Sequence, residues 1–364
     1  MKTVKDQDCP VFIGCGSLEK LKAWLRKKAQ DAPIVLLHEK NAAPLILPPL
    51  FEKIPFLQDV PRYELDSTEN RKQIESLMPL WQAWNQNHID RNTWVVLLGG
   101  GVLCDMGGFA ASLFKRGIPF VSIPTSLLAM ADASVGGKTA VDLGEVKNIL
   151  GSFRRPQAVA VDPVFIDTLP DSEFLSGMAE ILKMQLISKR GFSPESMENS
   201  FCKQNFDPKL LHFAIKEKAR ITRLDFEEKN LRRTLNFGHT VGHAFEALAL
   251  RQNRPIPHGY AVAYGMACEL LLSVRCCGLE AEKFERANRL IQNVYGTFDF
   301  APEDISVLLE YMRSDKKNRQ NGQIRPVLLK NYGTCLYKLS VPAQTIQEVL
   351  QGYPFNEKTY QHGS

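Results

Sequence analysis

The sequence has none of the marks of the membrane, secreted or nucleic-acid-binding classes. No apolar run approaches the roughly 20 residues that a transmembrane helix requires, and no signal-peptide pattern opens the chain. The eight cysteines, Cys9, Cys15, Cys104, Cys202, Cys268, Cys276, Cys277 and Cys335, include no C-x-x-C pair. Reduced thiols and a cytoplasmic location are therefore expected, with neither a disulfide framework nor a cysteine zinc site. The formal charge of +5 is a small excess over 364 residues, and no basic tract with interleaved aromatics is present. That speaks against a nucleic-acid partner and suits a small anionic substrate. Internal repeats and low-complexity segments are absent too.

What is present is an ordinary globular composition, 44% hydrophobic and 23% charged, in a chain too long for one core. Apolar runs of strand length occur at Val11 to Gly14, Ile34 to His38, Trp94 to Leu98, Phe120 to Ile123 and Ala158 to Val161. Amphipathic stretches such as Leu18 to Lys28 and Asn70 to Gln86 lie between them. This alternation predicts a parallel sheet flanked by helices. After Val161 the patterns become helical, through Phe174 to Ser188, Lys209 to Glu228, Leu235 to Leu250 and His258 to Cys277. Gly191 to Pro208 and Arg251 to Pro257 read as loops, and Asn356 to Ser364 as a fraying end. An α/β domain over residues 1–161 and a mostly α domain over 162–364 are expected.

Two stretches carry chemistry. The strand-like Trp94 to Leu98 runs into Gly99-Gly100-Gly101 and then a helix-like Asp105 to Phe114. Strand, glycines and helix start bring backbone N–H groups and a helix dipole against phosphate. The G-x-G-x-x-G fingerprint is not met, since Cys104 stands at its third glycine, so a plain tight turn is an equal reading. The second stretch is LNFGHTVGHAFE, Leu235 to Glu246, with His239 and His243 four apart, on one face if helical. A lone H-x-x-x-H is more often structural than metal-binding. Thr240 stands where a zinc peptidase would carry its glutamate, which weighs against that class.

Other residues sharpen the pattern. His258, in Pro257-His258-Gly259, follows a loop and precedes a helical run. Glu180 lies in an apolar helical segment, where a carboxylate is costly to bury without a cation, and Lys183 is three residues away. One carboxylate and two imidazoles leave open positions on a divalent ion, as catalytic zinc sites do. Lys138, Lys147 and Asn148 surround a glycine-rich turn, and Lys183, Lys218, Arg232 and Lys316 recur among the helical segments. Singly, such cations usually sit solvated on a surface.

Taken together, Gly99-Gly100-Gly101-x-x-x-Asp105-x-x-Gly108-Phe109, Pro124-Thr125-Ser126, Asp132-x-Ser134-Val135-Gly136-Gly137-Lys138-Thr139, Lys147-Asn148, Ala179-Glu180-x-x-Lys183, Arg232-x-x-Leu235-Asn236-Phe237-Gly238-His239-Thr240-x-Gly242-His243 and His258-Gly259 resemble the 3-dehydroquinate synthase family of the shikimate pathway, which leads to chorismate and the aromatic amino acids. The match runs from about Glu69 to Pro326. The resemblance implies an N-terminal NAD-binding α/β domain, a helical C-terminal domain, an active site in the cleft between them, and a homodimer.

It also implies roles. Glu180, His239 and His258 are similar to the family's zinc ligands, with cobalt an alternative ion, and His243 to its non-ligand site histidine. NAD contacts carry over to Glu69, Lys72, Gly101, Val102, Leu103, Cys104, Asp105, Thr125, Ser126, Phe165, Ile166, Asp167 and Thr168, with Lys138 and Lys147 also close to the cofactor. Asp132, Lys138, Lys147, Asn148, Lys183, Lys218, Arg232, Asn236 and Lys316, or its neighbour Lys317, are implied to hold the phosphate, carboxylate and hydroxyls of a phosphorylated sugar acid. The implied lyase reaction converts 3-deoxy-D-arabino-heptulosonate 7-phosphate into 3-dehydroquinate and phosphate through transient oxidation by NAD, elimination, reduction and aldol closure. Ser126, Tyr260 and Arg154-Arg155 depart from the family pattern. They point to a lineage variant or to a related sugar phosphate cyclase, and a metal-dependent polyol dehydrogenase of the same architecture is a separate alternative.

Overall fold

A computed structural model describes residues 2–144, 146–191, 193–314 and 323–355. The chain divides into two compact units, one of Met1–Gly177 with Pro208–Glu227, the other of Met178–Asp207 with Glu228–Ser364. The division thus falls later than residue 161 and is interleaved, because one helical segment returns to the first unit. Lys316 and Lys317, and the fraying segment Asn356 to Ser364, lie outside the described residues.

In the first unit, runs of β-branched and aliphatic residues make a seven-stranded sheet. Its strands are β1 (Lys2–Asp6), β2 (Cys9–Ile13), β3 (Ile34–Glu39), β4 (Arg62–Leu65), β5 (Trp94–Gly99), β6 (Phe120–Pro124) and β9 (Val159–Val161), with a separate hairpin of β7 (Lys138–Leu143) and β8 (Val146–Phe153). The strand order is β1-β2-β9-β6-β5-β3-β4. All pairings are parallel except β1 with β2. The five strands expected from apolar runs are all present. Val95 to Leu98 are wholly buried, as a central strand covered on both faces requires. The sheet is mixed rather than purely parallel, since β1 turns back on β2 at the edge.

Helices α1 (Ser17–Ala29), α2 (Ala43–Lys53), α3 (Met78–Gln86) and α4 (Gly101–Leu113) connect these strands. The expected helix over Asn70 to Gln86 is realised only from Met78. Pro79, which has no N–H to donate, suits a first turn and not a helix interior, and short 3₁₀ turns precede it. Helix α5 (Asp171–Ile187) carries the division between the units within it. Helix α6 (Pro208–Leu224) packs with β1 and with the π-helical turn Ala129–Ala133, which explains its place in the first unit.

The second unit is mostly helical, with α7 (His239–Arg251), α8 (His258–Cys277), α9 (Ala281–Tyr295), α10 (Asp304–Ser314) and α11 (Ala343–Gln351), and a small hairpin of β10 (Leu328–Asn331) and β11 (Thr334–Leu336). Contrary to the expectation that no run reaches membrane-spanning length, α8 has 20 residues and enough apolar character to do so. It is instead the central helix of this unit, with Ala261 through Ser273 buried. Leu235 to Glu246 is not one helix. A 3₁₀ turn, Leu231–Asn236, ends before Gly238, whose φ of +79° breaks the run, and α7 then starts at His239.

Candidate active site

The second unit brings together residues from four places in the chain. Glu180 projects from α5, its carboxylate fully buried, with Oε1 3.4 Å from His239 Nε2 and 3.7 Å from His258 Nε2. Lys183, one turn along and equally buried, closes an ion pair on Glu180 Oε2. His239, His243 and His258 offer ring nitrogens that all lie within 4.8 Å of one another. Burial opposes ionisation of Glu180, but Lys183 and the two imidazoles outweigh it and hold its carboxyl well below the usual range. Burial and the Lys183 charge push His239 down to about 3, so it stays neutral. For His258 burial acts against the proton, yet hydrogen bonds to Glu180 and Glu246 prevail and raise it to about 10.

These details fit a divalent metal. A buried carboxylate faces two imidazoles, one already neutral, and the ring orientations are held from outside the cluster. His239 Nδ1 lies 3.1 Å from the Phe237 carbonyl, and His258 Nδ1 lies 3.5 Å from Glu246 Oε2. Each leaves Nε2 directed at Glu180, the arrangement that outer partners impose on metal-bound histidines. Arg232, almost fully buried, and Asn236 stand on the preceding 3₁₀ turn, where Asn236 Nδ2 donates to Glu228 Oε1 at 2.8 Å.

The first unit builds a different site. In the strand order the chain reverses direction between β3 and β5, and in open α/β sheets ligands bind at such a switch, beyond the strand ends. Glu39 ends β3 and Gly99 ends β5. The Gly100 N–H donates to Glu39 Oε2 at 3.1 Å. A Cβ added at Gly100 would lie 3.5 Å from Ser126 Oγ and 3.6 Å from Glu39 Oε2, so glycine leaves a cradle between these oxygens. Helix α4 begins at the next residue and has no acidic side chain in its first turn. Its leading N–H groups therefore suit the phosphates of a dinucleotide.

Cations and carboxylates line the same unit. Lys72 Nζ donates to Asp105 Oδ2 at 2.7 Å, and Lys147 Nζ lies 2.9 Å from Glu69 Oε1. Burial pushes the Asp105 carboxyl up, against the Lys72 charge that pulls it down. Lys218 on α6 pairs with Asp132 Oδ1 at 2.7 Å and also donates to the Asp132 carbonyl. The Asn148 N–H donates to Asp142 Oδ1 at 2.5 Å, within the hairpin that Lys138 opens. The glycine-rich turn before Lys138 thus leads into an antiparallel hairpin.

The residues expected from sequence are divided between the two units. Glu180, Lys183, Arg232, Asn236, His239, His243 and His258 stand in the second unit. Glu69, Lys72, Gly101 through Asp105, Thr125, Ser126, Asp132, Lys138, Lys147, Asn148, Phe165 through Thr168 and Lys218 stand in the first. Phe165 and Ile166 are buried, so contacts to a bound molecule there fall to backbone atoms or to Asp167 and Thr168. Lys316 lies outside the described residues. Glu39, Glu228, Glu246 and Glu269 join these residues from outside the sequence motifs. Only Glu39 had a signal, an acid at a strand end beside the glycine turn.

Comparison with known proteins identifies the family. The family model described as 3-dehydroquinate synthase N-terminal matches residues 62–176, and its C-terminal counterpart matches residues 177–318. A 3-dehydroquinate synthase of Parabacteroides distasonis is 40% identical over 314 residues, covering 84% of this chain and 87% of that protein. Among solved structures, 2-deoxy-scyllo-inosose synthase complexed with carbaglucose-6-phosphate, NAD+ and Co2+ superposes with a TM-score of 0.82 at 23% identity, covering 96% of this chain and 99% of that one. For 2-epi-5-epi-valiolone synthase from Streptomyces hygroscopicus, with NAD+ and Zn2+ bound, the TM-score is 0.82 at 24% identity, with 96% and 98% covered. Those two likenesses speak to the fold.

Proposed function

The chain belongs to the 3-dehydroquinate synthase family, and from that premise we propose how its two residue groups carry out the family's reaction. The reaction is conversion of 3-deoxy-D-arabino-heptulosonate 7-phosphate to 3-dehydroquinate and phosphate. The observation that carries the proposal is the convergence of His239 and His258 on the buried Glu180 carboxylate, with Lys183 beside it.

Glu180, His239 and His258 hold a divalent ion, zinc by the nature of the donors, with cobalt an alternative. The first unit would hold NAD, with the N–H groups at the start of α4 suited to its pyrophosphate and the Glu39 carboxylate to its ribose hydroxyls. When bound, the metal supplies Lewis acidity toward adjacent hydroxyls and NAD takes up a hydride and returns it. The protein's own groups do the positioning. Lys138, Lys147 and Asn148 hold the phosphate and neutralise the departing dianion. Arg232, Asn236 and Lys183 orient the sugar acid through its carboxylate and hydroxyls, while Lys218, anchored by Asp132, adds a further cation. His243 stands beside the two ligand imidazoles and acts as the group that holds or passes a proton.

A homodimer in the cytoplasm completes the reading. All eight cysteines are free thiols, as a reducing compartment favours. A polyol dehydrogenase of like architecture is disfavoured by the cations, because a neutral polyol has no use for so many. The test is incubation with the heptulosonate phosphate, NAD and Zn²⁺. Phosphate should appear without net NADH, and NADH accumulating in step with turnover would overturn the proposal in favour of the dehydrogenase. Light scattering on the eluted protein checks the dimer.

A further inference from the structure

We propose that Glu269 is a positioning residue for the metal site, holding the first turn of α7 from α8 and so setting where His239 stands relative to His258. The inference rests on the reading of Glu180, His239 and His258 as metal ligands.

A helix begins with backbone N–H groups that have no acceptor within the helix, and the N-cap side chain ordinarily supplies one. Helix α7 has no such device, because its N-cap is Gly238. Glu269 takes over the task from a neighbouring helix. Its Oε2 accepts from Gly238 N at 2.7 Å, and its Oε1 accepts from Thr240 N at 3.0 Å and Val241 N at 3.3 Å. The side chain is completely buried. A carboxylate at this depth is costly unless its oxygens are satisfied, and here three donors and the positive end of a helix dipole satisfy them.

The residue enclosed by these contacts is His239. Its ring orientation depends on local backbone, since Nδ1 is held by the carbonyl of Phe237. Fixing Gly238, Thr240 and Val241 therefore fixes the imidazole. The anchor lies on the helix whose first residue is His258, so a single rigid element carries one ligand and the clamp for another. Contact between the two helices is backbone to backbone. A Cβ at Gly265 would come within 2.0 Å of the Gly238 carbonyl oxygen and 2.6 Å of Gly242 N. An aliphatic residue at position 269 would fill the space, but it would leave three donors buried at the point where the site must be stiffest.

The test compares Glu269→Gln with Leu272→Ala, a cavity-forming change at a buried position of the same helix. Zn²⁺ affinity is measured on the full chain by competition with a chromogenic chelator, and stability by thermal melting. Glu269→Gln should bind Zn²⁺ about 10–100-fold more weakly, the range found when outer partners of metal ligands are altered. Leu272→Ala should melt earlier yet bind within about threefold of wild type. Equal weakening in both, or wild-type affinity in Glu269→Gln, would overturn the positioning role and leave the ligand assignment standing. Failure of the wild type to bind Zn²⁺ would overturn both. Hydrogen exchange on the metal-free wild type covers the case in which Glu269→Gln does not fold. Slow exchange at Thr240 and Val241 supports the clamp, and exchange at the rate of unstructured chain overturns it.

Discussion

Replacing Lys183 with Met tests whether the ion pair under the proposed metal site has the consequence its burial implies. Both Lys183 and Glu180 are about 1% exposed, so neither charge is screened by solvent. Met keeps much of the aliphatic volume and removes only the ammonium. Removing one partner of a buried pair costs ~3–5 kcal/mol, because the remaining charge is left in a medium of low polarity. The lower half of that range applies here, since His258, protonated in the metal-free protein, stands 3.7 Å from the same carboxylate and supplies part of the missing charge. For a unit of this size each kcal/mol shifts the midpoint by about 2–4 °C, so the metal-free variant should melt roughly 6–16 °C below wild type. Saturating Zn²⁺ should recover much of the deficit, because the ion places positive charge against Glu180. Circular dichroism melts with and without Zn²⁺ read both quantities. A metal-free midpoint within about 2 °C of wild type would refute the reasoning, as would a deficit unaltered by Zn²⁺.

Two further outcomes follow from the same geometry. The metal-free His258 is raised to about 10, so its proton stabilises the fold fully below the ordinary value of about 6.5, and this contribution is lost as pH climbs through 10. A metal must expel that proton, and Zn²⁺ affinity should accordingly rise by up to about tenfold per pH unit between these limits. Chelator competition at three pH values checks it, and a flat profile would sink the assignment of His258 as a protonated ligand precursor. His243→Ala should keep bound metal by elemental analysis while turnover falls, about 10²-fold if the ring transfers a proton. Loss of the metal would instead make His243 a ligand, which its ring nitrogen lies close enough to be.

What the sequence showed, and what it concealed, follows from how local each feature is. Central strands such as Val95 to Leu98 were legible because burial on both faces demands an unbroken apolar run. The edge strands β1 and β4, reading KTVKD and RYEL, were not, since a half-exposed edge tolerates charge and resembles a loop. The hairpin of β7 and β8 was not legible, because its charged residues and glycines break the apolar alternation of a strand. Individually the site residues were ambiguous, and only their joint order in the chain singled them out. Glu228, Glu246 and Glu269 had no local signal at all, because a glutamate on a helical pattern normally faces water.

The pair His239 and His243 shows how much local spacing leaves open. Four residues apart on one helix, they invite a two-histidine metal site, yet the backbone breaks at Gly238 and makes His239 the first residue of α7. His258 is likewise the first residue of α8. Two helix starts therefore deliver the two imidazoles, and the partial positive charge at each favours an anion near by. Glu180 supplies that anion from a third helix, while His243, one turn inside α7, lacks the advantage. Two helix starts thus place His239 and His258 beside Glu180, and the i,i+4 spacing adds His243 one turn inside α7, within 4.8 Å of both.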